Sequence, residues 1–182
     1  MAWLPLLVVL GVAGLCVVLY NRMVRLRIRC DESWADIDAQ LKRRADLVPN
    51  LVETVKGYAA HEKGLMEEVT RARSMALSSG SLEERASAEQ ALSGALRGLF
   101  AVAEAYPELK ANTNFLQLQG ELSKVEDDIQ LARRYYNAVV RDYNSAIETF
   151  PGNLFASVFG FGPRGYFEVD EEEKGPVQVS FE

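Results

Sequence analysis

The feature that most constrains this chain is an uncharged apolar run, Ala2 to Tyr20, which ends at four arginines, Arg22, Arg25, Arg27 and Arg29, with no acid among them. The run is close to the ~20 residues that a helix needs to cross roughly 30 Å of hydrocarbon. Basic residues follow it and none precedes it, so the positive-inside rule places the N-terminus outside and the body of the chain in the cytoplasm. A cleaved signal peptide needs a basic stretch before the apolar run and small residues at a cleavage site, and neither is present. Leu15 stands before Cys16 where a lipoprotein would carry a small residue. The run therefore reads as an uncleaved single-pass membrane anchor.

Four segments follow from composition: the anchor at 1–20, a basic juxtamembrane collar at 21–30, a helical bundle at 31–162 and an acidic, disordered tail at 163–182. The body is long enough for one domain with a real core. The formal charge of −6 is uneven, with bases beside the anchor and Glu168, Asp170, Glu171, Glu172 and Glu173 at the far end, which argues against nucleic-acid binding. The collar has the sign to contact anionic headgroups, each base contributing on the order of 1 kcal/mol near such a surface. Cys16 and Cys30 lie about 20 Å apart along a helix at ~1.5 Å per residue, too far for a disulfide. Unpaired cysteines suit a reducing compartment.

Beyond the collar, Trp34, Ile37, Leu41, Arg44, Val48, Leu51, Val55 and Tyr58 recur in steps of three and four. This spacing predicts a coiled-coil-like seam on a rod that continues the anchor to about Ala60–Gly64. Pro49 predicts a kink near Ala45–Pro49, or a break into two helices there. A second helix carries Leu65, Val69, Ala72 and Ala76, and stops at Ser78-Ser79-Gly80. Ser81 and Glu84 form a capping-box pattern that opens a third, with Ala88, Leu92, Ala95, Leu99, Val102 and Tyr106 on its seam. The last helix, from about Asn112 to Thr149, carries Phe115, Leu118, Leu122, Val125, Ile129, Ala132, Tyr136, Val139, Tyr143 and Ala146 at heptad spacing.

The fold class is therefore all-α: a transmembrane helix, then an antiparallel up-down four-helix bundle with long first and last helices. In that topology the fourth helix returns toward the bilayer, and residues 150–162 arrive beside the arginine collar. Phe155, Phe159 and Phe161 then either plug the open end of the bundle or enter the headgroup region. The plug is favoured, since a bundle end needs covering and the segment is short for an interfacial helix.

No catalytic constellation is visible. The single histidine, His61, lacks the partners of an HExxH or a Glu-x-x-His pair, and reads as solvated or capping. GxSxG, P-loop and dinucleotide fingerprints are absent, and both cysteines lie in or beside the anchor, away from His61. No catalytic, cofactor-binding or metal residues are assigned, and no small-molecule substrate is expected. One polar cluster stands out, because Arg44 falls on the apolar seam. It either snorkels or pairs with a carboxylate of the fourth helix, with Glu121, Glu126, Asp127 and Asp128 as candidates, fixing register. Alternatively, carbonyls freed at the Pro49 kink, with Arg43, Arg44, Asp46, Asn50 and Glu53, bind a partner. The structural role is favoured, since seams use isolated polar residues to specify alignment.

The run LYNRMVRLR followed by CDESWADIDAQLKRRADLVPNLVETVKGYAAHE, and later AYPELKANTNFLQLQGELSKVEDDIQLARRYYNAVVRDYNSAIETFPGNLFASVFGF, resembles the LemA family of bacterial proteins. The resemblance covers nearly the whole chain to about Phe167. It implies a single N-terminal transmembrane helix, a short outward terminus, a cytoplasmic four-helix bundle and no catalytic residues to carry over. It also implies a membrane protein of unestablished molecular function, with links to envelope-associated processes and a related group in magnetosome membrane formation. Cys30 departs from a stretch that commonly reads VDEAW. The expected function is a membrane-tethered interaction or scaffold protein, held by lipids through anchor and collar and recruiting another envelope protein or a second copy of itself. The alternative is a self-associating membrane-shaping protein.

Overall fold

The structure, a computed structural model, describes residues 3–168. These residues are all-helical, as the three- and four-residue apolar steps require, with no strand among them. Six helices follow in order: α1 Trp3–Lys56, α2 Lys63–Ser78, α3 Leu82–Ala103, α4 Pro107–Lys110, α5 Thr113–Glu148 and α6 Gly152–Phe159. The two short ones, α4 and α6, are additions to the elements the sequence suggests. Pro107 opens α4 at its first turn, where a missing N–H costs nothing. Gly160, at φ 69°, closes α6 in the left-handed region that favours glycine. Most of the acidic tail, residues 169–182, lies outside the described residues.

Anchor, collar and seam are one helix. The side chains of Trp3, Leu4, Leu7, Val8, Leu10 and Val12 are all exposed, and no protein covers this stretch of α1. An apolar surface of that extent is unfavourable in water and fits a lipid environment.

The chain divides into two compact units, Met1–Arg44 with Gly120–Tyr166, and Ala45–Gln119 with Phe167–Glu182. In the first, Ile37 and Leu41 of α1 and Leu122, Val125, Ile129, Val139 and Val140 of α5 form a buried apolar core. The Trp34 ring lies 5.4 Å from that of Tyr136. Arg44 is buried too, and its Nη1 donates to Glu126 Oε2 at 2.7 Å. Of the four carboxylates considered for this arginine, Glu126 is the one bonded at Nη1. Arg43 lies at 3.9 Å from Asp128, both side chains being about half exposed.

In the second unit α2 and α3 pack through small side chains, with Ala72 and Ala76 of α2 and Ala88, Leu92, Ala95 and Leu99 of α3 buried. Ser81 accepts from the Glu84 N–H, and the Glu84 carboxylate accepts from the Ser81 N–H, completing the expected capping box. Donation from the Gly80 and Ser81 N–H groups holds the Glu84 carboxyl below its usual range. Asn112 accepts from the Phe115 N–H at 3.0 Å at the start of α5. Its amide also donates to the Tyr58 hydroxyl at 2.9 Å.

Two expectations about the first rod need correction. The helix ends at Lys56, so Tyr58 lies past its end, exposed, instead of closing the seam. Nor does α1 break at Pro49, which lies inside it. Proline deprives the carbonyl four residues back of its helical donor. That carbonyl belongs to buried Ala45, and Arg73 Nε of α2 donates to it at 2.7 Å. The acceptor freed by Pro49 is thus occupied within the protein and is not presented to a partner.

Candidate membrane-interface site

The end of the apolar run and the segment after α5 meet in the first unit. The Phe159 ring packs edge-on against Tyr20 at 5.1 Å, and Phe161 does the same at 5.8 Å. The Arg27 guanidinium lies over the Phe161 ring at 5.2 Å, a cation–π distance. Residues 150–162 therefore arrive beside the collar.

Two faces divide the labour within this segment. Gly152, Ala156 and Phe161 are buried against the protein. Leu154, Val158 and Phe159 remain exposed, with Phe150 at 80% beside them. Phe155 is half-buried. Positions 154 and 158 are four apart and so lie one above the other on α6. The inward face depends on close backbone approach: a Cβ on Gly152 would fall 2.0 Å from the Ala146 carbonyl oxygen.

Beyond α6 the chain is held on α5. Tyr143 donates its hydroxyl to the Gly162 carbonyl and Tyr136 to that of Gly165, each at 3.0 Å. Asn144 makes a reciprocal pair with the Arg164 backbone, donating to its carbonyl and accepting from its N–H, both at 2.9 Å. The Arg164 guanidinium reaches back to Asp31 of α1 at 2.7 Å. Residues 162–166 thus form an ordered strap, which corrects the expectation that the tail is disordered from residue 163. Buried hydroxyls require acceptors, and α5 offers them to backbone carbonyls of a segment too rich in glycine and proline to be helical. Burial pushes the Tyr136 and Tyr143 hydroxyls and the Cys30 thiol above their ordinary values, with Arg164 opposing the shift. Cys30 is fully buried and carries no exposed thiol for bridging two copies.

The residues singled out from sequence fall into two sets. Arg22, Arg25, Arg27 and Arg29 are all exposed, and of these Arg27 is joined to the aromatic cluster with Phe159 and Phe161. Among the proposed recruiting residues Asp46, Asn50 and Glu53 are exposed, Arg43 faces Asp128, and Arg44 is withdrawn into the core. His61 is exposed. Among the described residues no group of three or more His, Cys, Asp or Glu side chains is placed to hold a metal ion. Sequence reasoning missed Tyr20 as an aromatic partner, and the strap. The strap had a signal: Tyr136 and Tyr143 sit on an apolar seam, where each hydroxyl must find an acceptor.

The LemA family model matches residues 33–181. Protein LemA of Metamycoplasma hominis is 29% identical over 165 residues, covering 88% of this chain and 74% of that protein. Magnetosome protein MamQ 2 of Paramagnetospirillum magneticum is 24% identical over 184 residues, covering 87% of this chain and 68% of its own. Magnetosome protein MamQ of Magnetospirillum gryphiswaldense is similar at 24% identity, with 87% and 68% covered. With the family model spanning most of the chain, this protein belongs to the LemA family.

Proposed function

We propose that this protein is a non-catalytic, membrane-tethered interaction protein whose helical body stands on the cytoplasmic side of a bacterial inner membrane, N-terminus out. In this reading α1, α2, α3 and α5 are the four members of an antiparallel up-down bundle. The pairing of Arg44 with Glu126 and of Trp34 with Tyr136 supports that order for α1 and α5. The observation that carries the reading is the Tyr20–Phe159 contact beside the exposed face of Leu154 and Val158. Tyr20 ends the apolar run, so an apolar patch level with it lies where lipid headgroups begin. There α6 acts as a second, shallow foothold, while the arginines meet anionic headgroups. Asp46, Asn50 and Glu53, exposed on α1, offer a polar stripe for another envelope protein.

A second reading, membrane shaping by self-association, is favoured by the same exposed apolar residues, which would wedge one leaflet. Full-length protein in anionic vesicles, with both cysteines replaced and a fluorophore attached at Val158→Cys, tests the foothold. Quenching by a lipid-borne quencher is expected. Quenching by aqueous iodide alone would remove α6 from the membrane. Photo-crosslinkers at Asp46, Asn50 and Glu53 separate the two readings: capture of one discrete second protein supports recruitment, and self-crosslinks alone support self-association.

A further inference from the structure

Where the apolar run gives way to the collar, the first unit contains a cleft of about 420 Å³. That is within the ~300–1,000 Å³ range of small-molecule sites. Its wall is chemically mixed: Leu19 and Phe150 are apolar, Ser145 and Thr149 carry hydroxyls, Arg22 is cationic and Asp142 anionic. Arg22 and Asp142 are both exposed. A cleft lined by both a guanidinium and a carboxylate suits a headgroup that itself carries both charges.

We propose that this cleft binds the headgroup of a zwitterionic phospholipid bearing a primary amine, a phosphoethanolamine lipid. Arg22 takes the phosphate and Asp142 the ammonium, in charge-assisted hydrogen bonds, with the Ser145 hydroxyl as a further donor; the Thr149 hydroxyl already donates to the Ser145 carbonyl at 2.7 Å. A lipid is favoured over a free phosphate ester because Leu19, the penultimate residue of the apolar run, and Phe150, 80% exposed, line the same cleft. Both flank the route an acyl chain would follow into the bilayer. Two competing headgroups are disfavoured on chemical grounds. Phosphocholine has no N–H to give Asp142, and phosphoglycerol brings a net negative charge without a cation to meet that carboxylate.

The inference rests on the reading that Tyr20 marks the membrane boundary, but its test is separable from that of the α6 foothold. Full-length protein in detergent micelles is offered equal amounts of chain-matched phosphatidylethanolamine, phosphatidylcholine and phosphatidylglycerol, and native mass spectrometry counts the lipid retained. The ethanolamine lipid is expected to be retained about ten-fold better than the choline lipid, the scale of one hydrogen bond to a charged group. Asp142→Asn is expected to erase that preference, Arg22→Gln to lower retention of all three, and Glu67→Gln, at an exposed acid outside the cleft, to change nothing. Equal retention of the ethanolamine and choline lipids would overturn the proposal, as would best retention of the glycerol lipid or an unaltered preference in Asp142→Asn. Competition by soluble O-phosphoethanolamine as effective as by the diacyl lipid would overturn the lipid assignment in favour of a free phosphate ester. Leu154→Ser with Val158→Ser removes the foothold without touching the cleft, so micellar lipid retention in that variant reports on the cleft alone.

Discussion

Arg44 and Glu126 share a 2.7 Å hydrogen bond in which the arginine side chain is 4% exposed and the glutamate side chain 44%. The pair is asymmetric, and so are the expected effects of breaking it. Glu126→Gln strips a compensating charge from a buried guanidinium. After allowance for screening at the half-exposed carboxylate, it is expected to cost about 1–2 kcal/mol. Arg44→Met places an apolar side chain on an apolar seam and leaves a glutamate that water can reach, so its effect is expected within about 1 kcal/mol of zero. Urea unfolding in micelles orders the two; a larger loss in Arg44→Met would show that the ion pair itself stabilises the fold.

Pro49, Ala45 and Arg73 form a testable circuit. Arg73→Met removes the donor to the Ala45 carbonyl and is expected to destabilise by about 1–2 kcal/mol. Pro49→Ala restores a helical N–H for the same carbonyl. In that background Arg73→Met should cost less, with a coupling on the order of 1 kcal/mol in a double-mutant cycle. Strict additivity would mean that the arginine acts elsewhere.

At Gly152 the objection to any side chain is backbone contact, since the Ala146 oxygen lies 2.0 Å from the position of a Cβ. Gly152→Ala must displace α6 or the end of α5, at an expected cost of about 3 kcal/mol. Limited proteolysis should then cut between residues 148 and 160 while α2 and α3 stay protected. Unchanged protection throughout would show that the turn absorbs the methyl group.

Alkaline pH should loosen the strap. Tyr136, Tyr143 and Cys30 all have folded values above their ordinary 10.0, 10.0 and 9.0, with burial the leading cause. The fold therefore prefers their protonated forms, and the stability they contribute is full below the ordinary values. It is lost as pH rises through the folded values, because the unfolded chain ionises first. Urea midpoints are expected to stay flat up to the ordinary thiol value of 9.0 and to fall above it. Tyr136→Phe with Tyr143→Phe should flatten the fall, at a cost of about 1 kcal/mol per lost hydrogen bond at neutral pH. An equally steep fall in that variant would place the alkaline transition outside the strap.

Local chemistry made much of this protein readable in advance. The uncharged run before the arginines, the three- and four-residue steps of Ile37 to Val55 and of Leu122 to Tyr143, and the Ser81–Glu84 box act between near neighbours. Their consequences follow from helical geometry alone, and the family resemblance came from the same residues. Tertiary structure decided what needed a partner distant in sequence. Helical spacing put Arg44 on a seam without choosing Glu126 among four nearby acids. It flagged Pro49 as a kink or a break, but not that Arg73, on another helix, would satisfy Ala45 within an α1 that runs on to Lys56. It could not foresee that Tyr136, Tyr143 and Asn144 would hold residues 162–166 in an extended strap, because glycine- and proline-rich chain carries no period to read. Nor could it divide the Phe155–Phe161 segment into a buried and an exposed face. The buried face includes the close approach of Gly152 to Ala146, a contact of backbone with backbone that side-chain patterning does not encode.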